Sequence, residues 1–195
     1  GKPSLVVCPT SLLENWADES RRFTPELSLH VIHGSDRLKK LKALDEIDLA
    51  ITSYALLRRD IQYYQQYEFS AVILDEAQHI KNHSTQNARA AKKLRAVNRL
   101  VLTGTPVENS VTDLWSIIDF LMPGYLGSHP HFKRNYEMPI MSGGEHAVAT
   151  QQRLRQKVHP FLLRRLKRDV AKELPERIDR IAYCTMTPDQ RAVYR

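Results

Sequence analysis

Five short apolar runs, separated by longer stretches with apolar residues at helical spacing, set the rhythm of residues 1–104. The runs are SLVVCP (4–9), LHVIHG (29–34), DLAITS (48–53), AVILDE (71–76) and RLVLTG (99–104), and each predicts a strand. The segments between them, Leu12 to Arg22, Arg37 to Asp45, Ala55 to Gln66 and Thr85 to Leu94, predict helices. Near-continuous apolar strands alternating with helices imply a parallel sheet covered on both faces, an α/β fold. Ligands of such sheets bind beyond the carboxyl ends of the strands.

After residue 110 the pattern changes. VTDLWSIIDFLM (111–122) predicts an amphipathic helix with Val111, Leu114, Trp115, Ile118 and Leu121 on one face. No strand of similar strength follows until IDRIAYC (178–184); between them lie Pro123, Gly124, Gly127 and the breaker-rich MSGGEH (141–146). This predicts a small helical protrusion beside the sheet.

Composition adds limits. A chain of 195 residues, 42% hydrophobic and 26% charged, suits one compact α/β domain with a small appendage. The net charge of +7 permits a polyanionic partner. From Arg153 to Arg177 there are nine Lys/Arg against three Asp/Glu, so an excess of six sits in one stretch. The two cysteines, Cys8 and Cys184, lie far apart, which fits a reducing compartment better than a disulfide framework. No apolar run approaches the roughly 18 residues that span a bilayer, and no signal peptide opens the chain, so an intracellular protein without a membrane partner is expected.

The chemistry concentrates in LDEAQHIKN (74–82), where Asp75 and Glu76 end an apolar strand. Unpaired carboxylates in apolar surroundings cost several kcal/mol, so a metal or a reacting water is one account of them. Two solvated acids at a strand-to-loop junction is the other. A second apolar strand, in RLVLTGTPVEN (99–109), ends in a Thr-Gly-Thr-Pro turn, which alone reads as a hydroxyl N-cap before a helix.

Together these motifs resemble a known family. VILDEAQHIKN (72–82) and RLVLTGTPVEN, with PTSLLENW (9–16) and ITSYALL (51–57), are similar to the first RecA-like lobe of the Swi/Snf-type ATPases of helicase superfamily two. FKRNYEMPI (132–140), PFLLRRLKRDVAKELPER (160–177) and MTPDQRAVYR (186–195) extend the resemblance over almost the whole chain. It implies a P-loop NTPase fold, with a partial RecA-like lobe at 1–121, the helical protrusion at 122–177 and the start of a link towards lobe two at 178–195. It also implies an ATP-driven motor that tracks along double-stranded DNA and remodels or displaces DNA-bound proteins, with ATP and Mg as cofactors. Asp75 would help hold Mg through water and Glu76 would orient the hydrolytic water. Gln78 stands where many members have His, and a polar side chain there still reaches the lobe interface. Thr103, Gly104 and Thr105 would couple nucleotide to track. Pro9, Thr10, Ser11, Asn15, Thr52, Ser53 and Tyr54 match the family's DNA-facing motifs. Glu108 replaces a frequent Gln.

An ATPase of this type needs a Gly-rich loop ending in Gly-Lys-Ser/Thr. Only Gly1 among seven glycines precedes a Lys, and Pro3 follows, so Gly1-Lys2 does not match. In the family the phosphate loop lies upstream of the first strand seen here and a second RecA-like lobe supplies an arginine finger. The resemblance therefore implies a fragment truncated at its N-terminus, inactive by itself, binding neither ATP nor Mg tightly, with exposed sheet edge and apolar surface. Compactness of the protrusion resembles bacterial or archaeal members, which would place the protein in the cytoplasm or nucleoid; a eukaryotic member would be nuclear. A strand-separating helicase of the same superfamily and a catalytically dead scaffold remain as alternatives.

In the basic stretch, Leu154, Val158, Phe161, Leu162 and Leu166 interleave with cations. The pattern fits first an amphipathic helical pair with a solvated basic face; phosphate contact by Arg164, Arg165, Lys167 and Arg168 is the functional reading, and the resemblance adds pairing of Arg164 and Arg165 with acids of the protein itself. His79 with His83, and His129 with His131, lack a third ligand at a recognised spacing, so surface or core histidines are expected. Trp16 and Trp115 are expected in the core, and the aromatics of QYYQQYEF (62–69) are expected to pack under the following strand.

Overall fold

The structure, a computed structural model, describes residues 1–104, 111–165 and 187–194. Five strands form one wholly parallel sheet: β1 (Ser4–Cys8), β2 (Leu29–Val31), β3 (Leu49–Ser53), β4 (Glu68–Leu74) and β5 (Arg95–Val101). They lie side by side in the order β2-β3-β1-β4-β5. The parallel α/β expectation holds.

Alternation along the strands explains why both faces are covered. On β1, Leu5 and Val7 face one layer while Val6 and Cys8 face the other. The Val6 face, with Leu49 and Ile51, is closed by Leu13 and Ala17 of helix α1 (Leu13–Phe23). The Leu5 face takes α2 (Arg37–Lys42), α3 (Tyr54–Arg59), α4 (Ile61–Tyr64), α5 (Gln86–Lys92) and α6 (Val111–Leu121). The aromatics of 62–69 pack as expected, with Tyr64 and Phe69 fully buried in this layer. Each such side chain contributes about 1.5–3 kcal/mol by leaving water.

Three boundaries differ from the pattern-based reading. β4 and β5 begin at Glu68 and Arg95, earlier than their apolar runs, because their ladder already pairs Glu68 with Arg95 and Phe69 with Ala96. The single helix expected over 55–66 breaks at Asp60, whose buried carboxylate takes the Arg37 guanidinium at 2.9 Å. Helix α6 is buried through Trp115, Ser116, Ile117, Ile118 and Phe120, whereas Val111, Leu114 and Leu121 are only half-buried. Trp115 and Ile118 of the expected face are buried, and burial extends around the helix beyond that face, because packing on two sides rewards a wider stripe than one amphipathic face.

Beyond α6 come α7 (His129–Phe132), a π-helical turn (Lys133–Glu137), α8 (Met138–Ser142) and α9 (Gly144–Val158). Gly127 turns with φ +79°, and a Cβ there would lie 2.7 Å from His131 Nδ1. Its carbonyl accepts the Trp115 indole N–H at 3.0 Å, so Trp115 is a core residue as expected. Contacts divide the chain into two compact units, residues 1–154 and 155–195; the second holds α10 (Pro188–Tyr194). The strand expected at 178–184, Leu166 and Cys184 lie outside the described residues. Among the described residues, no helix is long and apolar enough to cross a membrane.

Candidate active site

Strand order creates the site. From β1 the chain departs towards β3 and β2, and from β4 it departs the opposite way to β5, although β1 and β4 are neighbours. Divergent loops leave a crevice beyond the carboxyl ends of that pair, the usual ligand position in open parallel sheets. Asp75 and Glu76 follow β4 directly, and Pro9 to Leu12 follow β1.

Asp75 is held on all sides. Its N–H donates to the Val7 carbonyl (2.8 Å) and its carbonyl accepts the Tyr54 hydroxyl (2.8 Å). One carboxylate oxygen accepts the Glu76 N–H and the other accepts the Trp16 indole N–H, each at 2.8 Å. A carboxylate oxygen has capacity for two acceptor contacts, so each retains one for a further partner. Among the described residues no lysine or arginine forms an ion pair with Asp75 or Glu76.

Glu76 is the single non-glycine with positive φ among the described residues (φ 50°, ψ 55°). Left-handed backbone costs an L residue about 1–2 kcal/mol, a strain found where surrounding bonds over-determine a functional residue. Here the Ala77 N–H donates to the Leu102 carbonyl (3.1 Å), and the Ser116 hydroxyl donates to the Ile80 carbonyl (2.7 Å). The 3₁₀ turn Ala77–Ile80 is thereby fastened to the end of β5 and to α6.

Asp75's negative charge is felt nearby. Burial, then this charge, pushes the Cys8 thiol up to about 12, and the same causes raise the Tyr54 phenol. Burial raises the Tyr64 phenol as well.

The other expected site residues divide into two groups. Thr10, Ser11 and Asn15 are exposed and Pro9 is half-buried, at the mouth of the crevice. Thr103 and Gly104 are exposed, and the Thr103 hydroxyl donates to Gln78 Oε1 at 3.4 Å, bringing these two expected positions together. Thr52, Ser53 and Tyr54, expected to face DNA, are instead buried and engaged within the protein. Thr52 Oγ1 accepts the Tyr64 hydroxyl (2.9 Å), Ser53 Oγ caps α3 by accepting the Leu56 N–H, and Tyr54 holds Asp75. Their position at a strand end is right, but their side chains point inward. Arg164 and Arg165 are exposed in the second unit; Thr105, Lys167, Arg168 and Glu108 lie outside the described residues.

Gly1 and Lys2 sit at the opposite, amino-terminal end of the central strands, with Lys2 paired to Glu68 at 2.7 Å where β4 begins. They form no phosphate cradle for Asp75. His79 lies against Tyr54, and His83 against His129 and Trp115; the described residues contain no cluster of three or more His, Cys, Asp or Glu placed to bind a metal.

Trp16 is the residue that the pattern misplaced. Between Leu13 and Ala17 it reads as core, yet it is half-buried and lines a hollow of about 240 Å³ with Leu12, Asn15, Glu19 and Asp75. An indole N–H needs an acceptor when withdrawn from water, and that requirement was the available signal.

Comparison with known proteins decides the family. The SNF2-related domain matches residues 1–195. The chain belongs to the SNF2-related domain family. Among SNF2-related relatives, human TATA-binding protein-associated factor 172 is 38% identical over 98% of this chain and 11% of its own length. Mouse chromatin-remodeling ATPase INO80 is 33% identical over 99% of this chain and 13% of its own. The chain thus spans little more than a tenth of these SNF2-related proteins. The Sulfolobus solfataricus SWI2/SNF2 ATPase core in complex with dsDNA superimposes with TM-score 0.80 at 42% identity, covering 99% of this chain and 40% of that one. The corresponding core domain described without DNA gives TM-score 0.75 at 42% identity.

Proposed function

We propose that this chain serves an ATP-driven motor that moves on double-stranded DNA and displaces or remodels proteins bound there. The observation that carries the reading is the strained, fully anchored Asp75-Glu76 pair in the crevice between β1 and β4. A half-buried carboxylate with acceptor capacity to spare and, among the described residues, no lysine or arginine ion-paired to it suits a divalent cation bound through water. Asp75 would hold Mg, which when bound supplies neutralisation of the charge that develops on the transferring phosphoryl group. Glu76 orients the attacking water and accepts its proton. Gln78 and Thr103 join the turn after β4 to the turn after β5, a path from the nucleotide to the partner lobe. Gly104 and Thr105 continue that path in sequence.

Thr10, Ser11 and Asn15, with Pro9 framing the turn, face the phosphate backbone of the duplex, and Arg164, Arg165, Lys167 and Arg168 add cationic contacts. A second RecA-like lobe of the same polypeptide completes the cleft, the protrusion running over 122–177 and the link beginning at 178. The similarity to a SWI2/SNF2 core solved with dsDNA supports the choice of track. Phosphate release by the full-length protein, measured with and without duplex DNA, tests the reading. Strong stimulation that Glu76→Gln abolishes is expected, with no strand released in a displacement assay; equal release by wild type and variant would reject it.

A further inference from the structure

One short piece of chain joins the mouth of the crevice to its carboxylate. Thr10 and Ser11 occupy the 3₁₀ turn Thr10–Leu12, Asn15 follows in the first turn of α1, and all three are exposed. Trp16 is the next residue. Leu13 and Ala17 beside it are buried against Val6, Cys8 and Ile51, so the inner face of α1 is seated on the sheet while Thr10, Ser11 and Asn15 stay on its open side. From that seat the Trp16 indole crosses to Asp75 and donates to a carboxylate oxygen at 2.8 Å over 59 positions of sequence. Asn15, Trp16 and Asp75 line the same hollow.

We infer that Trp16 is a positioning residue: its indole N–H fixes the orientation of the Asp75 carboxylate and transmits occupancy of the Thr10–Asn15 surface to it. The inference rests on the reading of Asp75 as the Mg carboxylate. Hydrogen bonds to ionised groups are strong and directional, so the Trp16 N–H on one oxygen, with the Glu76 N–H on the other, selects the carboxylate orientation presented to a cation. A ligand that steadies the first turn of α1 steadies that donor. By linkage the effect is reciprocal: duplex tightens Mg binding and Mg tightens duplex binding by the same factor.

The test uses the full-length protein and titrates Mg²⁺ in the ATPase assay, with and without saturating duplex. Trp16→Phe keeps a ring but loses the donor; benzothienylalanine at this position keeps the indole shape and replaces N–H by sulfur, which separates the donor from packing. Both are expected to raise the Mg²⁺ concentration for half-maximal rate about tenfold, the loss of one charge-assisted hydrogen bond. Both should also erase two effects expected in wild type: the lowering of that concentration by duplex, and the matching gain in duplex affinity on adding Mg²⁺, read without turnover by fluorescence anisotropy. Unchanged thermal unfolding in the isosteric variant shows that folding is intact. If either variant folds and retains the wild-type Mg²⁺ half-saturation or the wild-type response to duplex, the inference is overturned. Asp75→Asn is the reference: if it keeps full activity, the reading of Asp75 fails, whereas its inactivity beside an unaltered Trp16 variant removes only the role of Trp16.

Discussion

The Tyr54 hydroxyl donates to the Asp75 carbonyl at 2.8 Å, joining the first residue of α3 to the residue that directly follows β4. Tyr54 is buried, so Tyr54→Phe leaves a backbone carbonyl without its donor. The expected cost is about 1–2 kcal/mol in urea denaturation. A fall in the DNA-stimulated rate should accompany it, since the same bond holds the carboxylate loop. An unchanged denaturation midpoint would show that the carbonyl finds another donor.

Left-handed backbone at Glu76 makes a contrast between two substitutions informative. Asn tolerates this region better than Gln. Glu76→Asn should therefore be about 0.5–1 kcal/mol more stable than Glu76→Gln, while both lose ATP hydrolysis. Calorimetry of the two proteins provides the check, and equal unfolding temperatures would mean that the strain is relieved by neighbouring bonds.

Alkaline titration should expose Cys8. The thiol moves from its ordinary 9.0 to about 12 on folding, because burial and then Asp75 oppose the thiolate. The folded chain holds this proton more tightly than the unfolded chain, so its contribution to stability is intact below about pH 9 and is lost as pH rises towards 12. Cys8→Ala should flatten the loss of stability across that window relative to wild type. At pH 8 native Cys8 should resist alkylation, and rapid labelling of this residue would contradict its placement.

Replacing Arg164, Arg165, Lys167 and Arg168 together with Gln should reduce the slope of log affinity for duplex against log salt by about three to four, if all four release a counterion. Fluorescence anisotropy across a salt series measures this. Retention of the wild-type slope would leave these cations as a solvated face.

Apolar runs made the strands and their parallel arrangement legible, and the short interval between a strand and its acidic end located Asp75 and Glu76. Starts of β4 and β5 were hidden because Glu68, Arg95 and Asn98 carry polar side chains on backbone that still pairs. Thr52 and Ser53 were placed at a strand end but not inward, since Tyr64 and the Leu56 N–H, their partners, meet them only in the fold. Trp16 was hidden differently. Apolar neighbours advertised a core residue, while its acceptor lies 59 positions away.

The turn after β4 has a further consequence through Ser116. Its hydroxyl grips the Ile80 carbonyl inside the protein, at 2.7 Å, and Ser116 lies midway along the eleven-residue α6. Any tilt of the carboxylate turn must therefore drag that rod with it. At 1.5 Å of rise per residue the helix reaches about 8 Å to either side of that grip, so a small rotation of the turn is carried to both ends of α6.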